Sequence, residues 1–544
     1  MPDSTSNVFL KRMRLTALLA AASAAVILHE HALAAELPAA PKTFDTRYAA
    51  PSGATLTVNE GDNLQAALDK AQPGDTIVLQ AGAKWTGPFK LPNKSAGNGW
   101  IYVVSSHLSN LPPPGTRVSP ANAANMPKIL ARQAMTAVAT MPNSHHFRFV
   151  GIEFAPVPGA TVVYQVVTIG NGNASPETLP SHIVFDRCYV HGDPTAANRR
   201  GIEMDGAYVA VIDSYISDFQ EVGSDAQGLW AYNTTGPLQI RNNYIEGAGE
   251  NVMFGGADSR APELVPADIE ISNNYFFKPL SLLSTKVTVK NLLEFKSARR
   301  ALVTGNTFEN CPAKSQQGFA ILVTPRNQGS NAPWSGVSDI AITGNTLINV
   351  GSGFNLLGSD WPRPSLKTER ILIRDNIVGV TGLNGADGRA FQFIGGGSDY
   401  TIDHNTTITF PVVPASVVGL TESRTSKINN FVFTNNLFAR SHWGFGSSGL
   451  AAGIPTLTAN FTNWTFSKNV IVGGGGAVYP EGNFFPADIS AVRFANYAGG
   501  NYTLAADSPY KHAGTDGMDI GANGARAGTT VVVVPDPPTN VAVK

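Results

Sequence analysis

One short pattern of apolar and polar positions runs through most of the chain: an apolar residue, two variable residues, then asparagine. It stands at Ile240-Arg241-Asn242-Asn243, Ile271-Ser272-Asn273-Asn274, Val303-Thr304-Gly305-Asn306 and Ile342-Thr343-Gly344-Asn345. It continues at Ile373-Arg374-Asp375-Asn376, Ile402-Asp403-His404-Asn405, Phe433-Thr434-Asn435-Asn436 and Phe466-Ser467-Lys468-Asn469. Degenerate copies precede these at Phe149–Ile152, Phe185–Cys188 and Val211–Ser214. From Cys188 onward, successive copies lie 26 to 39 residues apart, most of them close to 31. Jitter of that size around a constant unit describes a fixed frame with loops of variable length inserted.

A second short segment lies upstream of each asparagine, as at 201–206, 228–233, 251–256, 291–296, 319–324, 353–358 and 390–395. A third follows it, as at Tyr244-Ile245 and Thr307-Phe308. Three short strands per unit cannot bury an inner face alone, whereas stacked units share a continuous core. The pattern therefore predicts an all-β fold, a right-handed parallel β-helix of about 10–12 coils. The asparagines are expected to form a ladder, each tolerating a left-handed turn and hydrogen-bonding its counterpart one coil on. Asn63–Ala71 reads as an amphipathic helix, capped by Asp62 or Asn63, that covers the open edge of the first coil.

Composition agrees. Gly and Pro together make 90 of 544 residues, too many for long helices. Charged residues are only 15% and the formal net charge is −1, so no basic field argues for nucleic acid. At the N-terminus Lys11, Arg12 and Arg14 precede an apolar run from Leu15 to Leu28 and then Ala32-Leu33-Ala34. That is the layout of a secretory signal peptide, and the run is too short for a membrane span. The expected organisation is a signal peptide over 1–34, a linker over 35–53, the β-helix over 54–528 and a strand with a Pro-rich tail over 529–544. A bacterial periplasmic or secreted protein, monomeric and without a membrane span, is the expectation. The cysteines, Cys188 and Cys311, read as buried free thiols. His145 and His146, being adjacent in a strand, should face opposite ways and make a poor metal pair.

The Asn ladder, the helix at 63–71 followed by Gln72-Pro73-Gly74-Asp75, and the segments Gly249–Asp258 and Asn291–Lys296 resemble the pectin-lyase-like (pectate lyase) superfamily. The resemblance covers roughly residues 54–510 and implies a carbohydrate-active protein, polysaccharide-lyase-like, with an acidic glycan bound along one face of the solenoid. Strand alternation supplies a candidate column for that face. With Ile202, Met204, Leu229, Ala231, Val252, Phe254, Leu293, Phe295, Phe354 and Leu356 inward, the outward set includes Glu203, Asp205, Trp230, Tyr232, Met253, Glu294, Lys296, Asn355 and Gln392.

A lyase acting on a uronate needs a base for the proton α to the carboxylate and a cation for the developing charge. Glu294 and Lys296 stand two apart on one strand and so emerge on one face. The resemblance implies Lys296 as base, with Arg299, Arg300 or Arg326 as its partner. It also implies Ca2+, taken by Glu294, Asp205, Asn251 and Asp258. Glu203, Trp230, Tyr232, Asn233, Asn355 and Gln392 are the expected substrate contacts, the aromatic rings as sugar platforms or as packing under a loop. Glu250-Asn251 reads either as a ligand pair or as a turn cap. Two alternatives stay open. A glycoside hydrolase needs paired carboxyls, and Glu203 and Asp205, roughly 6.6 Å apart between Cα atoms, meet the spacing. The Asp pair, Gly-His-Gly and Arg-x-Lys of polygalacturonases are missing, however. A noncatalytic glycan-binding or adhesive β-helix is the other. No zinc spacing, phosphate-binding glycine loop or Ser/His/Asp signature occurs.

Overall fold

Strands of three to eight residues, rich in Val, Ile and Phe, leave each coil with unpaired N–H and C=O groups along both edges. Pairing with the coils above and below satisfies them. The computed structural model describes residues 35–523, apart from 95–96, 98, 171, 361–362, 410–425, 442–443 and 448. The signal-peptide and tail expectations therefore lie outside the described residues. Three parallel sheets run the length of a β-helix, with 14, 13 and 10 strands. We label them A (Thr55–Val58 to Phe461–Ser467), B (Lys84–Thr86 to Val470–Val472) and C (Phe89–Leu91 to Phe391–Ile394). The chain visits them in turn, and among the described residues the one antiparallel pair of strands is the hairpin Phe494–Asn496 with Asn501–Leu504.

The inner face of all three sheets is one continuous apolar core that includes each residue placed inward above. Helix Leu64–Lys70 closes its N-terminal end with Leu64 and Leu68 buried, and Asn63 is the cap, its side chain accepting from the Ala66 N–H. Both cysteines are buried and free. Burial pushes each thiol up to about 12, which leaves them inert.

The asparagine ladder is present, with one correction. The left-handed residue is the one before each ladder asparagine: Asn242, Asn273, Gly305, Gly344, Asp375, His404, Asn435 and Lys468 all have φ between 52° and 65°. That kink aims the next side chain along the solenoid axis. Asn306 shows the result. Its Nδ2 donates to Ile271 O (2.9 Å), Thr304 O (3.1 Å) and Asn345 Oδ1 (2.9 Å), while its own Oδ1 accepts from the N–H and Nδ2 of Asn274. Ser214 extends the ladder downward by accepting from the Cys188 N–H, and Asn483, from a loop outside the repeat, ends it above Asn469. His145 and His146 also depart from expectation. His146 has φ +57°, which turns the chain so that the two rings meet, Nδ1 to Nδ1 at 2.9 Å.

Residues 35–50, read in sequence as a linker, lie extended across the strands of sheet A. The N–H groups of Glu36, Ala39 and Lys42 donate to Asp399, Asp339 and Asp268, at 3.2, 3.1 and 3.0 Å. Those aspartates stand two coils apart, with Arg300 and Arg370 on the coils between them, each paired at 2.7 Å to the aspartate of the coil before it. Two coils rise about 9.6 Å, and three residues of polyproline II helix rise about 9.3 Å. Pro38 and Pro41 favour that conformation at that period. Further along, Phe44 O, Thr46 O and Ala49 O accept from Gln239, Arg148 and Tyr102.

Two outcomes follow. Asn306→Ala should destabilise the protein by about 3 kcal/mol, because it strips partners from Asn274 and Asn345 as well as removing its own bonds; a lowered urea midpoint is the readout. Removing residues 35–45 should cost about 2–3 kcal/mol, near 1 kcal/mol for each lost backbone-to-carboxylate bond, and lower the calorimetric midpoint while leaving the far-ultraviolet circular dichroism spectrum unchanged.

Candidate active site

Sheet C builds the site. Its parallel register stacks Thr168, Glu203, Trp230, Met253, Glu294, Leu322, Asn355 and Gln392 in one outward column. Around Glu294 the column opens into a cavity of about 250 Å³. Lys296, Thr324, Arg326, Asn355, Gln316 and Gln317 are among its lining residues. Lys296 and Arg326 occupy neighbouring coils, joined by the Arg326 N–H to Lys296 O hydrogen bond (2.8 Å).

The charges in this cavity are held in place from several sides. Glu294 accepts from Asn291 Nδ2 (2.8 Å) and Thr324 Oγ1 (3.3 Å), and its Oε2 lies 3.6 Å from Lys296 Nζ. Burial works against the Lys296 ammonium, but Glu294, Glu250 and Asp225 outweigh it and raise its pKa. Asp360 fixes the Arg326 guanidinium at 2.8 Å and accepts from the Asn327 N–H. Glu250 is fully buried at the start of its strand; its Oε2 accepts from Gln227 Nε2 (2.7 Å), and Lys290 Nζ stands 3.7 Å from Oε1. Burial, then Glu294 and Asp225, push the Glu250 carboxyl up. Behind Glu250 the corner 247–249 turns its carbonyls onto one point, filled by the buried Lys278 ammonium.

No group of three or more His, Cys, Asp and Glu side chains placed for a metal occurs among the described residues. The oxygen donors nearest to such a group are the carboxylates of Glu250 and Glu294 on neighbouring coils, with the amide of Asn291 bonded to Glu294. That oxygen-rich set suits a hard cation. Glu250 Oε1, buried without a hydrogen-bond partner, is where an ion would add a bond.

The structure keeps several expected residues apart from this cavity. Arg299 and Arg300 lie on sheet A, where Arg299 donates to Pro262 O and Arg300 pairs with Asp268; only Arg326 reaches Lys296. Asn251 turns away from the outward face, because its amide is spent on Ile245 O, Phe277 O and Lys278. Asp258 ties a loop by accepting from the N–H groups of Gly329 and Asn331. Asp205 accepts from the N–H groups of Tyr232 and Asn233, three coils from Glu294. Asn233 is itself buried, accepting from the Arg260 N–H and donating to Ala174 O. Trp230 stacks on Tyr232 (4.5 Å) and lies under the Arg200 guanidinium (3.9 Å); at 6% exposure it offers little ring to a sugar. Gln392 bridges to Asn355 at the far end of the column.

Solved structures share the outline of this fold. The PL6 family alginate lyase AlyGC superposes with a TM-score of 0.52 at 14% identity, over 89% of this chain. The likeness is one of fold. The match takes in 59% of the alginate lyase, so the chain spans well under two thirds of its length. A mannuronic acid specific family 6 lyase from human gut microbiota (TM-score 0.48, 13% identity, 80% of this chain and 91% of that one) is also similar. So is the pectate lyase Pel9A (TM-score 0.33, 13% identity, 87% and 96%). No family model matches the chain, and no curated protein is similar to it in sequence.

Sequence reasoning missed Lys278, Asp360, Asn291 and the amides of Gln316 and Gln317. The repeat marks strands and turns, whereas these residues act from corners and loops. Of the pair Glu250-Asn251, read in sequence as ligands or as a turn cap, Glu250 faces the Glu294 region and Asn251 does not. The Glu203–Asp205 pair is sealed: Glu203 is 5% exposed and Asp205 is fully buried. Burial raises both carboxyls, and Asp205 pushes Glu203 further. A raised folded-state pKa gives stability that is complete below the ordinary carboxylate range, near pH 4, and lost as pH climbs through the folded value. The urea midpoint of the protein should therefore fall from acid to mildly alkaline pH, and Glu203→Gln should flatten that slope and raise the alkaline midpoint.

Proposed function

We propose that the protein is a polysaccharide lyase that cleaves an acidic, uronate-containing glycan by β-elimination. The observation that carries this reading is the convergence, in one cavity on the outer face of sheet C, of Lys296, Arg326 and Glu294. In this reading Lys296 takes the proton α to the uronate carboxylate. Arg326, held by Asp360, faces the charge that grows on that carboxylate, and the glycosidic oxygen on the β carbon leaves as the double bond forms, taking a proton from water to become the new hydroxyl end. Glu250, Glu294 and Asn291 would hold Ca2+, which when bound would neutralise the substrate carboxylate and replace Lys296 as the partner of Glu294. Asn355, Gln316 and Gln317 would contact sugar hydroxyls. Arg299, Arg300, Asp205, Asn251 and Asp258 have no part in it. The Lys-Arg run and the apolar segment before Ala34 support export to the periplasm or beyond. Among the described residues no helix is long and apolar enough to cross a membrane.

Lys296→Ala should lower the rate of unsaturated-product formation from uronate polymers by at least about a hundredfold while the circular dichroism spectrum stays native. Arg326→Ala should reduce it as well, and Asp258→Ala should not. Because its neighbours keep the Lys296 proton on, the wild-type rate should rise with pH through the alkaline range, and chelation of Ca2+ should suppress it. New reducing ends without unsaturation would instead identify a hydrolase. Glycan binding with neither product would identify an adhesive protein.

A further inference from the structure

The groove on either side of Lys296 is short of positive charge. One coil back along sheet C, the outward positions are Met253 and Gly255, the latter directly against Lys296. One coil on, they are Leu322 and Thr324, followed by Arg326 of the reacting pair, and the coil after that presents Asn355. The mouth of the cavity is finished by the neutral amides of Gln316, Gln317 and Gln328. The next cations in the sheet C columns are Arg200 and Arg389, whose backbones lie three coils away on opposite sides, roughly 14 Å along the axis. Arg200 is bonded to Gln227 and stacked on Trp230, and Arg389 is paired with Asp387 at 2.9 Å and spends its other arm on Gln392, whose amide bonds Asn355. At the rim, Lys290 is held between Asp225 and Glu250, and Arg363 donates to the Gln328 carbonyl.

A pyranose residue and a coil of the solenoid have a similar rise, so a glycan lying along the groove presents about one sugar per coil. A homopolymer of uronates would then set carboxylates against Met253, Leu322 and Asn355, and the nearest cationic centres among the described residues, Lys296, Arg326 and a Ca2+ in the Glu250–Glu294 pocket, are already engaged by the reacting uronate. Desolvating an unpaired carboxylate is costly. Neutral sugars present hydroxyls there instead, and primary amides both donate to and accept from hydroxyls. Resting on the lyase reading above, we propose that the substrate is a heteropolysaccharide in which the reacting uronate is flanked on both sides by neutral sugars. One charged sugar sits at Lys296 and Arg326, and its neighbours lie on an amide and apolar floor.

The test pairs turnover with binding. The purified protein, with Ca2+ in excess, is given alginate and polygalacturonate as homopolymers of uronates. It is also given hyaluronan and gellan, in which neutral sugars separate the uronates. The ultraviolet absorbance of unsaturated ends is followed, and affinity electrophoresis of Lys296→Ala in the same four polymers reads binding without cleavage. A kcat/KM at least about tenfold higher on a heteropolymer, with selective retardation by it, is the expected result. Asn355→Lys should move that preference towards the homopolymers by about fivefold. Homopolymers cleaved or bound as well as the heteropolymers overturn the proposal. Selective retardation by a heteropolymer with no unsaturated product removes the lyase reading and leaves the specificity standing. Neither product nor retardation overturns both.

Discussion

Backbone pairing along the solenoid axis is the constraint on which everything else rests. Each coil donates and accepts through the coils on either side, so the rise per coil is set by the strand spacing of about 4.8 Å. The asparagine ladder enforces the same spacing at one corner, where it both bonds to its neighbour and ties down backbone carbonyls of adjacent turns. Because the rise is constant, side chains far apart in sequence come into columns. The column on sheet C that carries Glu294 and the αL corner that carries Asp268, Asp339 and Asp399 are products of that one period.

The strap at residues 35–50 uses this constancy in a second way. An extended segment of the polyproline II kind has no internal hydrogen bonds, three residues per turn and a rise of about 3.1 Å per residue. Its free N–H groups meet aspartates placed every second coil, while arginines on the alternate coils neutralise them. The two periods match closely enough for donors and acceptors to stay in step over five coils. The same arginine rung explains why Arg300, which looks available in sequence close to Lys296, belongs to sheet A and not to the sheet C cavity.

The site concentrates buried and half-buried charge, as do the Arg148–Asp186–Arg187 cluster and the Glu203–Asp205 pair elsewhere in the fold. Glu250, Glu294, Lys290 and Lys296 share one region of a protein that otherwise uses ions sparingly. Single buried charges are expensive, and each of these is countered by another or by amides. Lys278 does the same for three carbonyls that would otherwise face one another. Such an arrangement is hard to build on propensity alone, because each member is tolerable only in the presence of the others.

The sequence alone determined the architecture. A repeat near 31 residues, eight asparagines in register and alternating strands leave little besides a β-helix, and they put Glu294 and Lys296 on one face because strand alternation is local. It could not decide which arginine joins them. Arg299, Arg300 and Arg326 are all near Lys296 or one coil away by count, yet the corner between sheets sends the first two to sheet A. Nor could it show that Asn251 turns inward, that the left-handed kink falls one residue before the ladder, or that a stretch resembling a linker is a strap. Those outcomes depend on which loop or coil packs against which corner. Contacts between residues separated by whole coils are set by the stacking, and only the tertiary structure reports them.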